Sequence, residues 1–167
     1  MSGPLIRRAR PGDVEVLLGL VAEYCAVDSR TFDAERIRAA LVPLLIDDTH
    51  GQVWVHLTDA SADAGVATEA ATGAATGASV LDGYVVVTWS WSLESGGAEC
   101  LIDELSVRHR RRGHGRALVE QALTAARERG CRVAFLETEA HNEDARTFYA
   151  ALGFDREASV WLSQPLG

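Results

Sequence analysis

The sequence predicts a mixed α/β fold in which helices cover both faces of a single sheet. Strand-like and helix-like stretches follow one another in the order β-α-α-β-β-β-α-β-α-β, which is typical of layered α/β domains. A short glycine turn at 94–97 predicts an antiparallel hairpin, whereas a strand–helix–strand unit further on predicts a parallel pair. With 167 residues, of which 47% are hydrophobic, the chain is long enough to form a single domain over residues 1–167.

The N-terminal part of the chain predicts a strand, two helices and a second strand. These elements cover residues 5–9, 14–26, 34–46 and 52–57. Asp13 and Asp33 stand immediately before the two helical patterns, where a carboxylate commonly accepts a hydrogen bond from the first helical turn. We therefore expect both aspartates to cap helices.

Residues 58–79 differ in composition from the rest of the chain. Nine of the twenty residues from Ala60 to Ser79 are alanine, and most of the others are threonine, glycine, serine or acidic. The segment has no amphipathic period and little apolar surface to bury. We expect a mobile loop inserted between two strands rather than a domain linker, with a substrate lid as the alternative.

The C-terminal part of the chain predicts four strands and two helices. The strands cover 83–93, 99–107, 132–138 and a final region from 154 to 162, and the helices cover 115–129 and 143–152. Asn142 precedes the second helix as a candidate cap, and Gly130 and Gly153 follow the two helices as terminators. The strand–helix–strand run from 99 to 138 is the unit that predicts parallel pairing.

The composition excludes several classes of function. All 16 basic residues are arginine, which excludes a lysine Schiff base and a P-loop lysine. A net charge of -8 argues against nucleic-acid binding. The three cysteines and five histidines have no metal-ligand spacing, so we expect no metal and reduced thiols. No signal peptide or membrane-spanning apolar run is found, and we expect a cytoplasmic protein without a membrane partner.

Residues 101–119 combine a strand, a basic turn with two glycines and the start of a helix. Five arginines lie from Arg108 to Arg116. The first turn of a helix presents unpaired N–H groups and partial positive charge, and Gly113 and Gly115 permit the close approach of a bulky anion. The pattern predicts a phosphate-binding turn, with a solvated basic turn as the alternative.

Two motifs together resemble the GNAT family of acetyl-CoA-dependent N-acetyltransferases. Arg110–Gly115 matches the family pattern (Q/R)-x-x-G-x-(G/A), and the segment from Asn142 to Phe154 matches its second cofactor signature. The resemblance extends from Ile6 to Trp161. It implies a GNAT-like acyl-CoA N-acyltransferase fold, whose central strand is splayed from its parallel neighbour. The long insertion at 58–79 departs from the family pattern.

The resemblance also implies that acetyl-CoA is the co-substrate. In the family, the central strand holds the pantetheine arm and backbone N–H groups of the turn hold the pyrophosphate. The N–H of Val107 would polarise the thioester carbonyl. The matching positions here are Leu105, Ser106, Val107, Arg110, Arg111, Arg112, Gly113, His114, Gly115, Arg116, Asn142, Ala145 and Tyr149.

Candidate acids and bases come from both motifs. The resemblance implies that Tyr149 protonates the leaving thiolate. Three carboxylates are candidates for the base that deprotonates an ammonium, in the order Glu104, Glu137 and Asp103. Alternation along the strand predicts that Glu104 shares a face with Ile102, and that Asp103 lies on the opposite face. For each carboxylate, an ion pair with a nearby arginine is the alternative role.

The expected function is acetyl transfer from acetyl-CoA to the primary amine of a small molecule, such as a polyamine or amino acid, by direct attack in a ternary complex. Tyr84, Trp89 and Trp91 are candidates for lining an amine pocket, although strand aromatics are more often core residues. The alternatives are a peptide or protein N-acetyltransferase and a non-catalytic acyl-CoA-binding regulatory module. The oligomeric state stays open, and a homodimer is what the resemblance suggests.

Overall fold

The computed structural model describes residues 5–28, 30–59 and 79–166. The chain divides into two compact units, residues 1–136 and residues 137–167. The first unit contains the sheet and three of the helices, and the second contains one helix. Within the described ranges, none of the helices has the length and hydropathy of a membrane-spanning segment.

The first unit is built on a five-stranded sheet whose strands neighbour one another in chain order. The strands are β1 (Leu5–Arg8), β2 (Gly51–Asp59), β3 (Ser79–Ser92), β4 (Gly97–Val107) and β5 (Val133–Leu136). Strands β1 to β4 pair antiparallel, and β4 and β5 pair parallel. The predicted mixed sheet is therefore confirmed, including its hairpin and its parallel crossover.

The larger part of the predicted insertion, residues 60–78, lies outside the described residues. Its described ends differ from the prediction, because Thr58 and Asp59 complete β2 and Ser79 begins β3. These residues pair across the two strands, Thr58 with Val80 and Asp59 with Ser79. The strands run further than the hydrophobic pattern indicated because ladder hydrogen bonds come from the backbone.

Helices cover both faces of the sheet. They are α1 (Val14–Val27), α2 (Ala34–Ile46) and α3 (His114–Arg129), with a short 3-10 turn at Pro11–Asp13 before α1. On one face, α1 and α2 share a buried core with β2 and β3, built around Leu17, Leu20, Leu41, Val53, Val55 and Tyr84. On the other face, α3 packs against β3 and β4 through buried Leu118, Val119 and Ala122. This is the layered arrangement that the sequence predicts.

One predicted helix cap is confirmed and the other is wrong. The carboxylate of Asp33 accepts a hydrogen bond from the backbone N–H of Arg36 at 3.1 Å, as expected of a cap. Asp13 does not cap α1 with its side chain. Its carboxylate instead binds the guanidinium of Arg7 at 2.7 and 2.9 Å and accepts from the N–H of Arg10. The nearby guanidinium on β1 competes for the carboxylate, and the 3-10 turn already begins the winding of the chain.

The second unit contains helix α4 (Glu143–Ala150). The side-chain oxygen of Asn142 accepts from the N–H of Ala145 at 3.0 Å, which confirms the predicted cap. The predicted final strand is wrong, since residues 154–166 contain neither a helix nor a strand. β-propensity alone does not make a strand, because a strand also needs a neighbour for its backbone hydrogen bonds.

Candidate active site

Strand β4 extends beyond its parallel neighbour. Strand β5 pairs only with Glu99–Ile102, so residues 103–107 of β4 continue without a partner in β5. The resemblance to the GNAT family places the splay of the central strand from its parallel neighbour at this end of β4. Backbone N–H and C=O groups along that open edge are available to a ligand that carries amide groups.

A β-bulge at Asp103 decides which side chains face the site. Val87 pairs with Ile102 and Val86 pairs with Glu104, which leaves Asp103 as the extra residue. Directly paired residues lie on the same face of a sheet, so Glu104 and Ile102 lie on opposite faces. The prediction that these two share a face is wrong, because a bulge reverses the alternation beyond it. Asp103 itself is exposed.

Glu104 is partly buried and hydrogen-bonded to a buried tyrosine. The hydroxyl of Tyr84, which is 1% exposed, donates to the carboxylate of Glu104. Burial raises the pKa of Glu104 above its ordinary value of 4.5, and the hydrogen bond from Tyr84 acts in the opposite direction. Burial and the neighbouring carboxylate raise the pKa of Tyr84, so its hydroxyl remains a donor. Of the two roles considered for Tyr84, the structure therefore supports a core residue.

A cavity of about 250 Å³ lies between α1 and the end of β4. Its lining includes Tyr24 and Val27 from the helix, Ser106 and Val107 from the strand, and Arg110 from the turn. Burial, with the Asp28 carboxylate as a second cause, raises the pKa of Tyr24 to about 12. A larger cavity, of about 430 Å³, is lined by residues 156–160 of the second unit, none of which is a predicted site residue. The smaller cavity is therefore the one that belongs to the candidate site.

The turn after β4 leads directly into the N-terminus of α3. Gly113 has a φ of 86° and Arg111 a φ of 62°, both in the left-handed region, so the turn is tight. Gly113 is the N-cap of α3 and provides no capping side chain, and the first turn of the helix contains no acidic residue. Within the described chain, the exposed side chains of Arg110 and Arg112 form no ion pair. The turn thus combines positive charge with a helix N-terminus.

One of the five arginines in this segment has a structural role instead. Arg108 binds the carboxylate of Glu23 on α1 through two nitrogens, at 2.9 and 2.6 Å. It also donates to the carbonyl oxygen of Leu81 at 3.3 Å. Arg108 therefore fixes the end of β4 against α1, on the cavity wall.

A buried carboxylate joins the two ends of the turn. Asp82 lies at a second bulge, since His56 pairs with Gly83 and the next residue of β2 pairs with Leu81. Nδ1 atoms of His109 and His114 contact the two oxygens of Asp82. Burial opposes ionisation of Asp82, but these hydrogen bonds outweigh it and lower its pKa. The start of α3 is thus connected to the sheet beneath it.

The remaining predicted site residues belong to the second unit. Glu137 is exposed, and Asn142 and Ala145 form the cap of α4. The ring of Tyr149 contacts those of Phe148 and Phe154, with centroids 5.0 and 5.8 Å apart. Burial raises the pKa of Tyr149 to about 12, so its hydroxyl carries a proton at neutral pH.

Sequence reasoning missed three features of the first unit. The sequence pattern indicates neither the place of Tyr24 in the cavity wall, nor the hydrogen bond from Tyr84 to Glu104, nor the contacts of Asp82 with two histidines. Spacing along the chain carries no signal for these contacts, because the partners are far apart in sequence. A polar residue inside the apolar β3 pattern was the one local sign for Asp82.

Comparison with known families identifies the class of protein. Residues 48–154 match the family described as Acetyltransferase (GNAT) family. The match covers more than half of the chain, so the chain belongs to the GNAT acetyltransferase family. Membership implies that acetyl-CoA is the acetyl donor. No curated protein matches the sequence.

Solved structures share the fold over nearly the whole chain. The aminoglycoside N-acetyltransferase AAC(6')-Iy in complex with CoA has a TM-score of 0.74 and 16% identity, over 100% of this chain and 97% of that chain. An aminoglycoside acetyltransferase, meta-AAC0020, from an uncultured soil metagenomic sample in complex with sisomicin has a TM-score of 0.70 and 18% identity, over 98% and 97%. An integron cassette protein from the mobile metagenome of Cole Harbour Salt Marsh has a TM-score of 0.74 and 24% identity, over 97% and 90%. At these identities the likeness concerns the fold.

Proposed function

We propose that this protein transfers the acetyl group of acetyl-CoA to a primary amine of a small molecule, by direct attack within a ternary complex. The observation that carries the proposal is Glu104, a partly buried carboxylate two residues before Ser106 on the splayed strand. An ammonium must lose a proton before it attacks a thioester, and a carboxylate beside the acyl group can take that proton.

The residues of the first unit fit acetyl-CoA. The α3 N-terminus, with Gly113 in the left-handed region and Arg110 and Arg112 exposed beside it, suits a pyrophosphate. The open edge of β4 along Leu105, Ser106 and Val107 suits the amide groups of a pantetheine arm. When bound, the co-substrate supplies the acetyl group as a thioester. The N–H of Val107 is our candidate donor to its carbonyl oxygen.

Glu104 is proposed as the base. Its raised pKa moves the carboxylate toward the pH range in which an amine is acetylated, which improves a base that must accept and then release a proton. The hydroxyl of Tyr84 orients the carboxylate from the core side. Asp103 and Glu137 are both exposed and therefore rank below Glu104, and Glu137 remains the second candidate.

Tyr149 is proposed as the acid that protonates the leaving thiolate. Its hydroxyl keeps its proton at neutral pH, because burial raises its pKa to about 12. Contacts with two phenylalanine rings restrict the orientation of the tyrosine ring. The raised pKa also makes this phenol a weaker acid than a thiol, whose ordinary pKa is about 8.5, so the proposal of Tyr149 as the acid rests on the family resemblance and on its protonated state and not on its acid strength.

The acceptor is proposed to be a small cationic amine. The cavity beside Ser106 and Val107 has a volume of about 250 Å³, which suits a compact ligand group rather than a folded partner. In the cavity lining Glu23 is paired with Arg108 and Arg110 is also present, so it is the net charge of -8 on the whole chain that favours the approach of a cation. Two structurally similar proteins are aminoglycoside acetyltransferases, which supports a small-molecule amine over a peptide.

The test is thiol release from acetyl-CoA with separate panels of polyamines, amino acids, aminoglycosides and short peptides, together with calorimetric binding of acetyl-CoA alone. Turnover of one small-amine class supports the proposal and identifies the acceptor. Turnover of peptides alone would replace it with the peptide alternative. Binding without turnover of any amine would favour the regulatory module, and the absence of binding would refute the assignment of the turn.

A further inference from the structure

Three imidazoles and one carboxylate converge beneath the N-terminus of α3, and of these four residues only His114 also belongs to the motif assigned to acetyl-CoA. His56 comes from β2, Asp82 from the bulge of β3, His109 from the turn and His114 from the first position of α3. Asp82 is 1% exposed and His56 is 3% exposed. Four separate segments of the chain therefore contribute a polar side chain to one point, two of them almost completely buried.

One nitrogen atom in this cluster has no hydrogen bond. Nδ1 of His56 is buried and has no hydrogen-bond partner among the residues that the structure describes. It lies 3.6 Å from Oδ2 of Asp82, which is beyond hydrogen-bonding distance. A buried polar atom without a partner is rare in folded proteins, and an ion at the site is one of its recognised causes.

Three of these residues lie close enough together to bind one ion, and the 2.5 Å hydrogen bond between Nδ1 of His114 and Oδ2 of Asp82 would lengthen when the ion enters. Ligand atoms of His56, Asp82 and His114 all lie within 4.8 Å of one another. In a tetrahedral zinc site with bonds of about 2.0 Å, neighbouring ligand atoms are about 3.3 Å apart, close to the 3.6 Å between His56 and Asp82. The rings of His56 and His114 are stacked with centroids 4.0 Å apart, so the rings would turn toward each other's edges to bind one ion together.

We propose that His56, Asp82 and His114 bind a Zn²⁺ ion. Two imidazole nitrogens and one carboxylate oxygen form a donor set that zinc commonly takes in proteins. On binding, Nδ1 of His114 exchanges its hydrogen bond to Asp82 for a bond to the metal, and the proton leaves to solvent. His109 contacts the other oxygen of Asp82. A hydrogen bond to the oxygen that does not bind the metal commonly orients a carboxylate ligand.

The site would connect the sheet to the phosphate-binding turn. His56 and Asp82 belong to adjacent strands, and His114 is the first residue of the helix whose N-terminus is proposed to hold the pyrophosphate. Zinc at this position, with a water molecule as its fourth ligand, would fix the start of α3 without contacting the proposed base. The proposal stands on these residues alone and does not depend on which amine is acetylated.

The experiment is a titration of the tag-free, EDTA-treated full chain with Co²⁺, followed by visible absorption. A four-coordinate site is expected to give d–d bands that saturate at one ion per chain and disappear when Zn²⁺ is added. Zinc is also expected to raise Tm by about 5–10 °C at saturating concentration. A wild-type titration without saturable bands would overturn the proposal, whatever the variants do.

Two variants and one control locate the ion. His56→Gln and Asp82→Asn should each weaken Co²⁺ binding at least tenfold and remove the zinc-dependent rise in Tm. His50→Gln, an exposed histidine outside the cluster, should behave like the wild type. Because Asp82→Asn also removes charge from the sheet, His56→Gln serves as the second variant if the first fails to fold. Unchanged binding in both variants would place the ion elsewhere and refute the assignment.

Discussion

Replacing Glu104 by glutamine should lower kcat/KM for the amine by about 10²- to 10⁴-fold, the range that a general base contributes. The substitution is nearly isosteric and keeps a carbonyl oxygen that accepts the hydrogen bond from Tyr84. What it removes is the ability to take a proton. The KM for acetyl-CoA should stay close to that of the wild type, since Glu104 is not among the residues proposed to bind it.

The stability of the same variant is a separate measurement. The hydrogen bond from Tyr84 becomes neutral instead of charge-assisted, which costs about 1 kcal/mol, and the burial of a negative charge is relieved. We therefore expect the free energy of unfolding to change by no more than about 1 kcal/mol, or about 2–4 °C in Tm. A loss of activity would then not reflect unfolding.

The pH dependence follows from the raised pKa of Glu104. Glu104 acts as a base in its ionised form. The acidic limb of the pH profile of kcat/KM should therefore report a pKa above the ordinary value of 4.5, and it should be absent in the glutamine variant. Ionisation of Glu104 activates the base but lowers the stability of the folded state. The folded state holds this proton more tightly than the unfolded state, so the carboxyl group destabilises the wild type as pH rises through its folded pKa. The Tm of Glu104→Gln relative to wild type should therefore rise with pH.

The assay is initial-rate thiol release between pH 5 and 9 for wild type, Glu104→Gln and a matched control, Glu94→Gln. Glu94 is an exposed glutamate in the turn between β3 and β4 and should leave the rate unchanged. A Glu104→Gln enzyme with a wild-type rate and an intact acidic limb would refute the assignment. The same measurements on Glu137→Gln and Asp103→Asn would then identify the base.

Four further predictions follow from the structure. Arg110→Ala should raise the KM for acetyl-CoA by about tenfold, and less so at high salt, whereas Arg127→Ala in the last turn of α3 should not. Tyr149→Phe should lower kcat by about 10²-fold with an unchanged KM for acetyl-CoA, and a wild-type kcat would refute the acid role. Gly83→Ala should weaken acetyl-CoA binding, because its Cβ would lie 2.7 Å from the carbonyl oxygen of Ser106 on β4. Gly19→Ala, an exposed helical position with open space, should instead raise the free energy of unfolding by about 0.5–1 kcal/mol, measured by denaturant titration.

Local signals in the sequence were sufficient for most of the fold. Period-two and helical patterns located every described strand and helix within a few residues, and the strand–helix–strand run predicted the parallel pairing of β4 and β5. Caps were predictable where the capping side chain had no competitor, as at Asp33 and Asn142. Asp13 failed as a cap because an arginine on β1, six residues earlier, takes its carboxylate.

The tight turn before α3, which we propose to bind phosphate, was also predictable as a local structure, since its charges, glycines and helix start are contiguous in sequence. The partner that each arginine binds was not predictable from the sequence. Arg108 looks like its neighbours in the sequence, yet it binds Glu23, which lies on α1 and far away along the chain. Only the packing of α1 against the end of β4 shows that Arg108 has a structural role, whereas Arg110 and Arg112 are exposed and available to an anion.

The two bulges explain why the remaining site geometry could not be predicted. A strand read by alternation assigns every second residue to one face, and a single extra residue exchanges the faces beyond it. At Asp103 this exchange moves Glu104 onto the face of Tyr84 and away from Ile102. At Asp82 it places a carboxylate beside His109 and His114. Both bulges lie where β3 and β4 approach the turn that we propose to bind phosphate, so alternation fails at the place where the sheet presents polar groups as well as a core face.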